Sequence, residues 1–140
     1  MPDNFDIWRF VDAVARQDAE EMRGHFEPGA LIFWSATHEQ FTVEEYIRVT
    51  REYPGKWSGK VERFDTIKGY EQRMSFVAKY WDTAGNAAYC VSFIDFGDTE
   101  DELIQMLDEY WCDISESPEW RQNLNIGTRM KESNEGQATP

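Results

Sequence analysis

Glu109 lies in Leu107-Asp108-Glu109-Tyr110-Trp111, where strand alternation sends Leu107, Glu109 and Trp111 to one face and Met106, Asp108 and Tyr110 to the other. One of the two acids therefore meets an apolar surface. A carboxyl lodged among Trp and Leu loses hydration, so its acid form is favoured and it can donate or take a proton near neutral pH. Held by a tryptophan N–H, an Arg or a Tyr hydroxyl, the same carboxyl would be a structural acceptor, since buried carboxyls need partners even where no chemistry occurs. His38, in the polar stretch Ala36-Thr37-His38-Glu39-Gln40, is a second titratable candidate. The alternative is a solvated loop histidine. His25 follows a short helix and reads as a partner of its C-terminal dipole.

The elements that must position these groups fall into two halves. In the first, Ile7, Phe10, Val11 and Val14 recur at helical spacing behind a cap at Asp3 or Asn4. Asp18 and Glu21 resemble a capping box for a short second helix, and Gly24 is expected to end it in the left-handed conformation. Ala30 to Ser35 follows the Pro28-Gly29 turn as a strand. Thr42 and Glu45 form a second box, opening a helix whose buried face carries Val43, Tyr46, Ile47 and Thr50 and which stops at Tyr53-Pro54-Gly55.

The second half holds four runs rich in β-branched and aromatic residues, Trp57 to Ile67, Arg73 to Trp81, Ala87 to Phe96 and Leu103 to Cys112. Short turns at Lys68-Gly69, Asp82 to Asn86 and Gly97 to Glu102 make these an antiparallel meander. Met74, Phe76, Ala78 and Tyr80 share one face. Both faces of Ala87 to Phe96 are apolar, which predicts a strand covered on one side by helices and on the other by a second copy of the chain. Residues 1–122 read as one domain and 123–140 as a polar tail, disordered over about its last ten residues.

Composition excludes several function classes. Hydrophobic residues make up 41% and charged residues 29% of 140, a globular usage. The formal net charge of −13 disfavours both nucleic acid and anionic membranes, which need clustered Lys and Arg. No run approaches the ~20 apolar residues of a membrane span, and the start MPDNFD lacks the features of a signal peptide, so the expected compartment is the cytoplasm. Cys90 and Cys112 lack metal-ligand spacing and read as two buried thiols. The acidic run Asp98, Glu100, Asp101 and Glu102 lacks the spacing and Gly of a calcium loop. No metal and no cofactor is expected.

Helices, a short strand, a further helix and then a long meander is the order of the nuclear transport factor 2-like, or SnoaL-like, superfamily. The chain resembles an uncharacterised bacterial branch of it at Phe26-Glu27-Pro28-Gly29-Ala30 leading to Phe33-Trp34, at Phe41 to Ile47, at Tyr53-Pro54-Gly55-Lys56-Trp57, and at Asp108-Glu109-Tyr110-Trp111 followed by Pro118-Glu119-Trp120-Arg121. The resemblance spans roughly residues 5 to 122. It implies an α+β, cone-shaped, cystatin-like fold with N-terminal helices on a curved antiparallel sheet, a small-molecule pocket between them, and a homodimer. It also places Glu109 inside. Catalysis of the isomerase, dehydratase, cyclase or hydrolase type would then fall to Glu109 with His38 or Tyr46, while Trp34, Trp57, Tyr89 and Trp111 would line the pocket. The Tyr and two Asp of the isomerase branch find no match here, so steroid isomerisation is not implied. A non-catalytic homodimeric accessory domain, with the same aromatics as core, is the competing reading. Trp120 is expected to pack the C-terminal segment onto the domain.

Overall fold

A computed structural model of the chain describes residues 5–97 and 102–131. The first helix, α1 (Ile7–Arg16), begins where the Asp6 carboxylate accepts the backbone N–H groups of Trp8 and Arg9, both at 3.1 Å. Capping at Asp3 or Asn4 would fall outside the described residues, and Asp6 takes that role. Helical spacing buries Ile7, Phe10, Val11 and Val14 as expected. The left-handed residue expected at Gly24 stands instead at Gln17, which closes α1 at φ 58°. Helix α2 (Ala19–Gly24), capped by Asp18, runs through Gly24 into His25 at φ −86°, a right-handed exit that feeds the chain directly into β1 (Phe26–Trp34).

After a 3-10 turn at Ser35–Thr37 the chain forms β2 (Glu39–Thr42), a short edge strand where a polar loop was expected. Its backbone pairing to β1 overrides its polar composition. Helix α3 (Val43–Glu52) carries the complete capping box of Thr42 and Glu45, which satisfies two otherwise unpaired backbone N–H groups at once. The meander follows as β3 (Trp57–Ile67), β4 (Tyr70–Asp82), β5 (Ala87–Asp95) and β6 (Ile104–Asp113), and α4 (Glu119–Gln122) is a single turn.

The six strands form one curved, unclosed sheet in the order β2-β1-β6-β5-β4-β3. All neighbours are antiparallel except β1 and β6, which run parallel from Leu31 opposite Met106 to Trp34 opposite Glu109. The sheet is thus mixed, and its one parallel seam sets the strand carrying Glu109 beside the strand carrying Trp34. The helices cover one face. Phe10, Val11, Met22, Tyr46 and Ile47 pack there on Ile32, Phe76, Ala78, Cys90 and Leu107 in a single buried cluster. Helix α1 approaches β3 at Gly59, where a Cβ would sit 2.8 Å from two ring carbons of Tyr80 and 3.2 Å from Val11 Cγ1.

On the opposite face Val77, Val91 and Tyr110 fall in one cross-strand row and Ser75, Phe93 and Asp108 in the next. Phe93 and Tyr110 meet edge to face, with ring centroids 6.2 Å apart, and both are exposed. Among the described residues, therefore, only one side of β5 is covered. Trp120 is 66% exposed and pairs with the neighbouring Arg121 guanidinium, because a one-turn helix offers no face with which to pack onto the domain. Cys112 is also exposed, since it lies on the same outer face as Tyr110, whereas Cys90 is buried. Residues 123–131 are exposed, and the expectation of disorder beyond them falls largely outside the described residues. No described helix is long and apolar enough to cross a membrane.

Candidate functional site

Glu109 is 2% exposed and points to the helix-covered face, leaving Asp108 on the other. Three strands fix its surroundings: Trp34 of β1 and Ser92 of β5 stand directly opposite it, and the neighbouring pair is Cys90 opposite Trp111. Trp34 Nε1 donates to Oε1 at 3.0 Å. From the helix layer the Tyr46 hydroxyl donates to Oε2, also at 3.0 Å. Cys90 Sγ lies 3.6 Å from Ser92 Oγ in the same buried row.

Burial pushes the Glu109 carboxyl above the ordinary carboxylate range, and the donors around it, led by Trp34 and Tyr46, recover only part of that cost. Trp111 Nε1 and the Cys90 thiol also favour the anion. The Trp111 N–H is buried and meets no acceptor at hydrogen-bond geometry among the described residues. Burial likewise raises Tyr46, Tyr80 and Cys90 well above their usual values, and the proximity of Glu109 adds to each shift. The whole cluster resists charge.

Beside this cluster a partly open recess of about 130 Å³ lies between α1, the end of α3 and the sheet. Its walls include Trp34, Trp57, Tyr80 and Trp111, with Tyr53 and Asp113 toward solvent and Gln17 and Thr50 among its polar members. Gln17 Nε2 donates to the Tyr53 carbonyl at 2.9 Å, and Thr50 Oγ1 to the Tyr46 carbonyl at 2.8 Å, so these polar groups are tied to the frame. Trp57 Nε1 is held by the Pro54 carbonyl at 2.9 Å. Glu109 itself does not line the recess: Trp34 and Trp111, which do, stand next to it.

The expected site residues divide accordingly. Glu109 and Tyr46 are brought together beneath the wall, and Trp34, Trp57 and Trp111 form part of it. Tyr89 alternates out of phase with the buried Ala88 and Cys90, which sends it to the outer sheet face and away from the others. His38 is exposed in a left-handed conformation at the end of the 3-10 turn and touches neither the recess nor the Glu109 cluster among the described residues. Tyr80 and Cys90 were not singled out from the sequence as site residues. Their signal was present in the alternation that puts Tyr80 with Phe76 and Ala78, but its meaning depended on knowing that β6 runs beside β5. No three His, Cys, Asp or Glu side chains converge to hold a metal among the described residues.

Comparison with solved structures agrees with this architecture. A candidate ketosteroid isomerase from Kribbella flavida is similar over 88% of this chain and 87% of its own, at 20% identity and a TM-score of 0.65. A hypothetical protein with a ketosteroid isomerase-like fold from Catenulispora acidiphila, solved in complex with trimethylamine, is similar over 74% and 82% respectively, at 11% identity and a TM-score of 0.61. A candidate SnoaL-like polyketide cyclase from Shewanella putrefaciens matches 74% of this chain and 84% of its own, at 11% identity and a TM-score of 0.57. No family model and no curated protein matches the sequence. The chain has the nuclear transport factor 2-like, SnoaL-like fold.

Proposed function

We propose that the protein binds a small, largely apolar molecule in the aromatic recess. The observation that carries this is the convergence of Trp34, Trp57, Tyr80 and Trp111, from four different strands, on one partly open hollow. An enclosed apolar cavity of about 150 Å³ accepts a molecule the size of benzene. At about 130 Å³ the recess therefore suits one ring or one branched group, and a fused polycyclic substrate would have to protrude from it. The trimethylamine complex of the Catenulispora protein supports occupancy of this fold by ligands on that scale.

Acid-base catalysis by Glu109 is the second reading, favoured by its raised proton affinity and by its contact with a wall residue, Trp34. A rotation of Trp34 or Trp111 would bring the carboxyl to the ligand, with Tyr46 holding its other oxygen. Two copies of the chain pairing through Val91, Phe93 and Tyr110 would cover the exposed outer sheet face. That homodimer predicts twice the monomer mass by light scattering at micromolar concentration, and a monomeric mass contradicts it.

The binding proposal is tested by ligand-detected NMR with a library of one-ring and branched fragments, comparing the native chain with Ala88→Met. Ala88 lines the recess and lies four positions along β5 from Ser92, the residue that stands opposite Glu109. Fragments that bind the native chain and are lost from a folded Ala88→Met variant uphold the proposal. Unchanged binding in the variant, or no binding by the native chain, contradicts it.

A further inference from the structure

We propose that the recess selects a small organic cation, specifically a methylated ammonium group, over neutral molecules of the same shape. This deepens the reading of the recess as a ligand site and rests on it. Aromatic rings present an electron-rich face, and a cation within about 6 Å of such a face is attracted to it, most strongly by Trp and most strongly where water is excluded. Three of the rings in the wall are Trp, and Tyr80 is 4% exposed.

Ring orientation separates a rounded group from a flat one. Trp34 and Trp111 are inclined at 73° with centroids 6.4 Å apart, and Tyr80 and Trp111 at 40° with centroids 5.2 Å apart. Neither pair offers the parallel faces between which a planar ring would slide. The three rings therefore share no common plane, and a wall of that kind suits a rounded, tetrahedral group bearing several methyls better than a flat one. The volume of about 130 Å³ fits a single such headgroup, and the open side allows its substituent to reach solvent.

Charge points the same way. Among the described residues no Lys, Arg or His lines the recess, and the carboxylate in its lining is Asp113, exposed at the rim. Glu109 stands behind the indoles of Trp34 and Trp111, so any negative charge it carries adds to the attraction. On a chain of net charge −13 nothing in the described lining opposes a cation.

The test compares choline with 3,3-dimethylbutan-1-ol, in which carbon replaces the quaternary nitrogen, by calorimetric titration of the full chain at constant ionic strength. Choline is expected to bind about tenfold tighter than the alcohol. Asp113→Asn is expected to weaken choline more than the alcohol, and Trp57→Leu, which keeps the wall apolar and removes a π-face, to narrow the difference. Equal or tighter binding of the alcohol overturns the inference while leaving the recess a ligand site. Toluene is the third probe: its binding when choline fails also overturns the cation preference alone, whereas failure of all three overturns both readings.

Discussion

The Tyr46 hydroxyl and the Glu109 carboxylate, 63 positions apart in the chain, share a 3.0 Å hydrogen bond in the sealed space between helix α3 and the central strand β6. The bond couples the helical layer to the sheet at a fully buried acid whose proton affinity burial raises. Tyr46→Phe keeps the ring and leaves Oε2 without its donor. An orphaned buried acceptor costs roughly 1–3 kcal/mol, so urea denaturation of the variant should show a loss of that order, together with a further rise in the proton affinity of Glu109.

The pH dependence of Glu109 has a definite sign. Its affinity for a proton is higher in the folded chain than the unfolded value of about 4.3. The stability it contributes is therefore fully present below that pH and lost as pH rises through the folded-state value. Glu109→Gln removes this dependence. The difference in unfolding free energy between native chain and variant should shift against the native chain as pH is raised, and a difference that stays flat from acid to neutral pH would contradict the burial cost assigned here.

His25 behaves in the opposite sense. Burial holds its pKa below the ordinary value, and Glu21, with Oε1 3.3 Å from Nε2 but outside hydrogen-bond geometry, offsets this only in part. The ring packs against Phe5 and Phe10 at centroid distances of 5.9 and 5.4 Å. The stability linked to His25 is present above its unfolded value of about 6.5 and is lost as pH falls through the lower folded-state value. Denaturation of His25→Gln should lack that loss, measured as a difference from the native chain across the same window.

Gly59 is the close approach that lets α1 reach the sheet. Its missing side chain leaves room for the ring of Tyr80, a buried group that cannot simply swing aside. Gly59→Ala should cost about 1–3 kcal/mol through overpacking and should displace Tyr80 in the wall of the recess, which near-ultraviolet circular dichroism would register. An unchanged spectrum and unchanged stability would contradict the contact.

Local signals carried much of this architecture in the sequence itself. The Thr42–Glu45 box starts α3 where its spacing predicts, and β3 spans Trp57–Ile67 as its β-branched and aromatic content between turns predicts, because both depend on neighbours within a few residues. Glu109 could be narrowed to one of two adjacent acids by strand alternation. What alternation could not supply was the partner of a strand distant in sequence: the parallel seam of β1 with β6, which sets Trp34 against Glu109, joins residues 75 positions apart. Tyr89 was misassigned to the recess for a related reason, since an apolar pattern on both faces of β5 leaves its inward face unmarked. The edge strand β2 is polar except for Phe41, which packs on Trp34, and its conformation follows from its pairing with β1.

The indole N–H resonances of the six tryptophans test the central claim most directly. Titrating 15N-labelled protein with choline, and separately with toluene, should move the signals of Trp34, Trp57 and Trp111 along a saturable curve while Trp8, Trp81 and Trp120, which do not line the recess, stay in place. Saturable shifts confined to Trp8, Trp81 or Trp120, or no saturable shift with either probe, would contradict the assignment of the recess as the site where this protein holds its ligand.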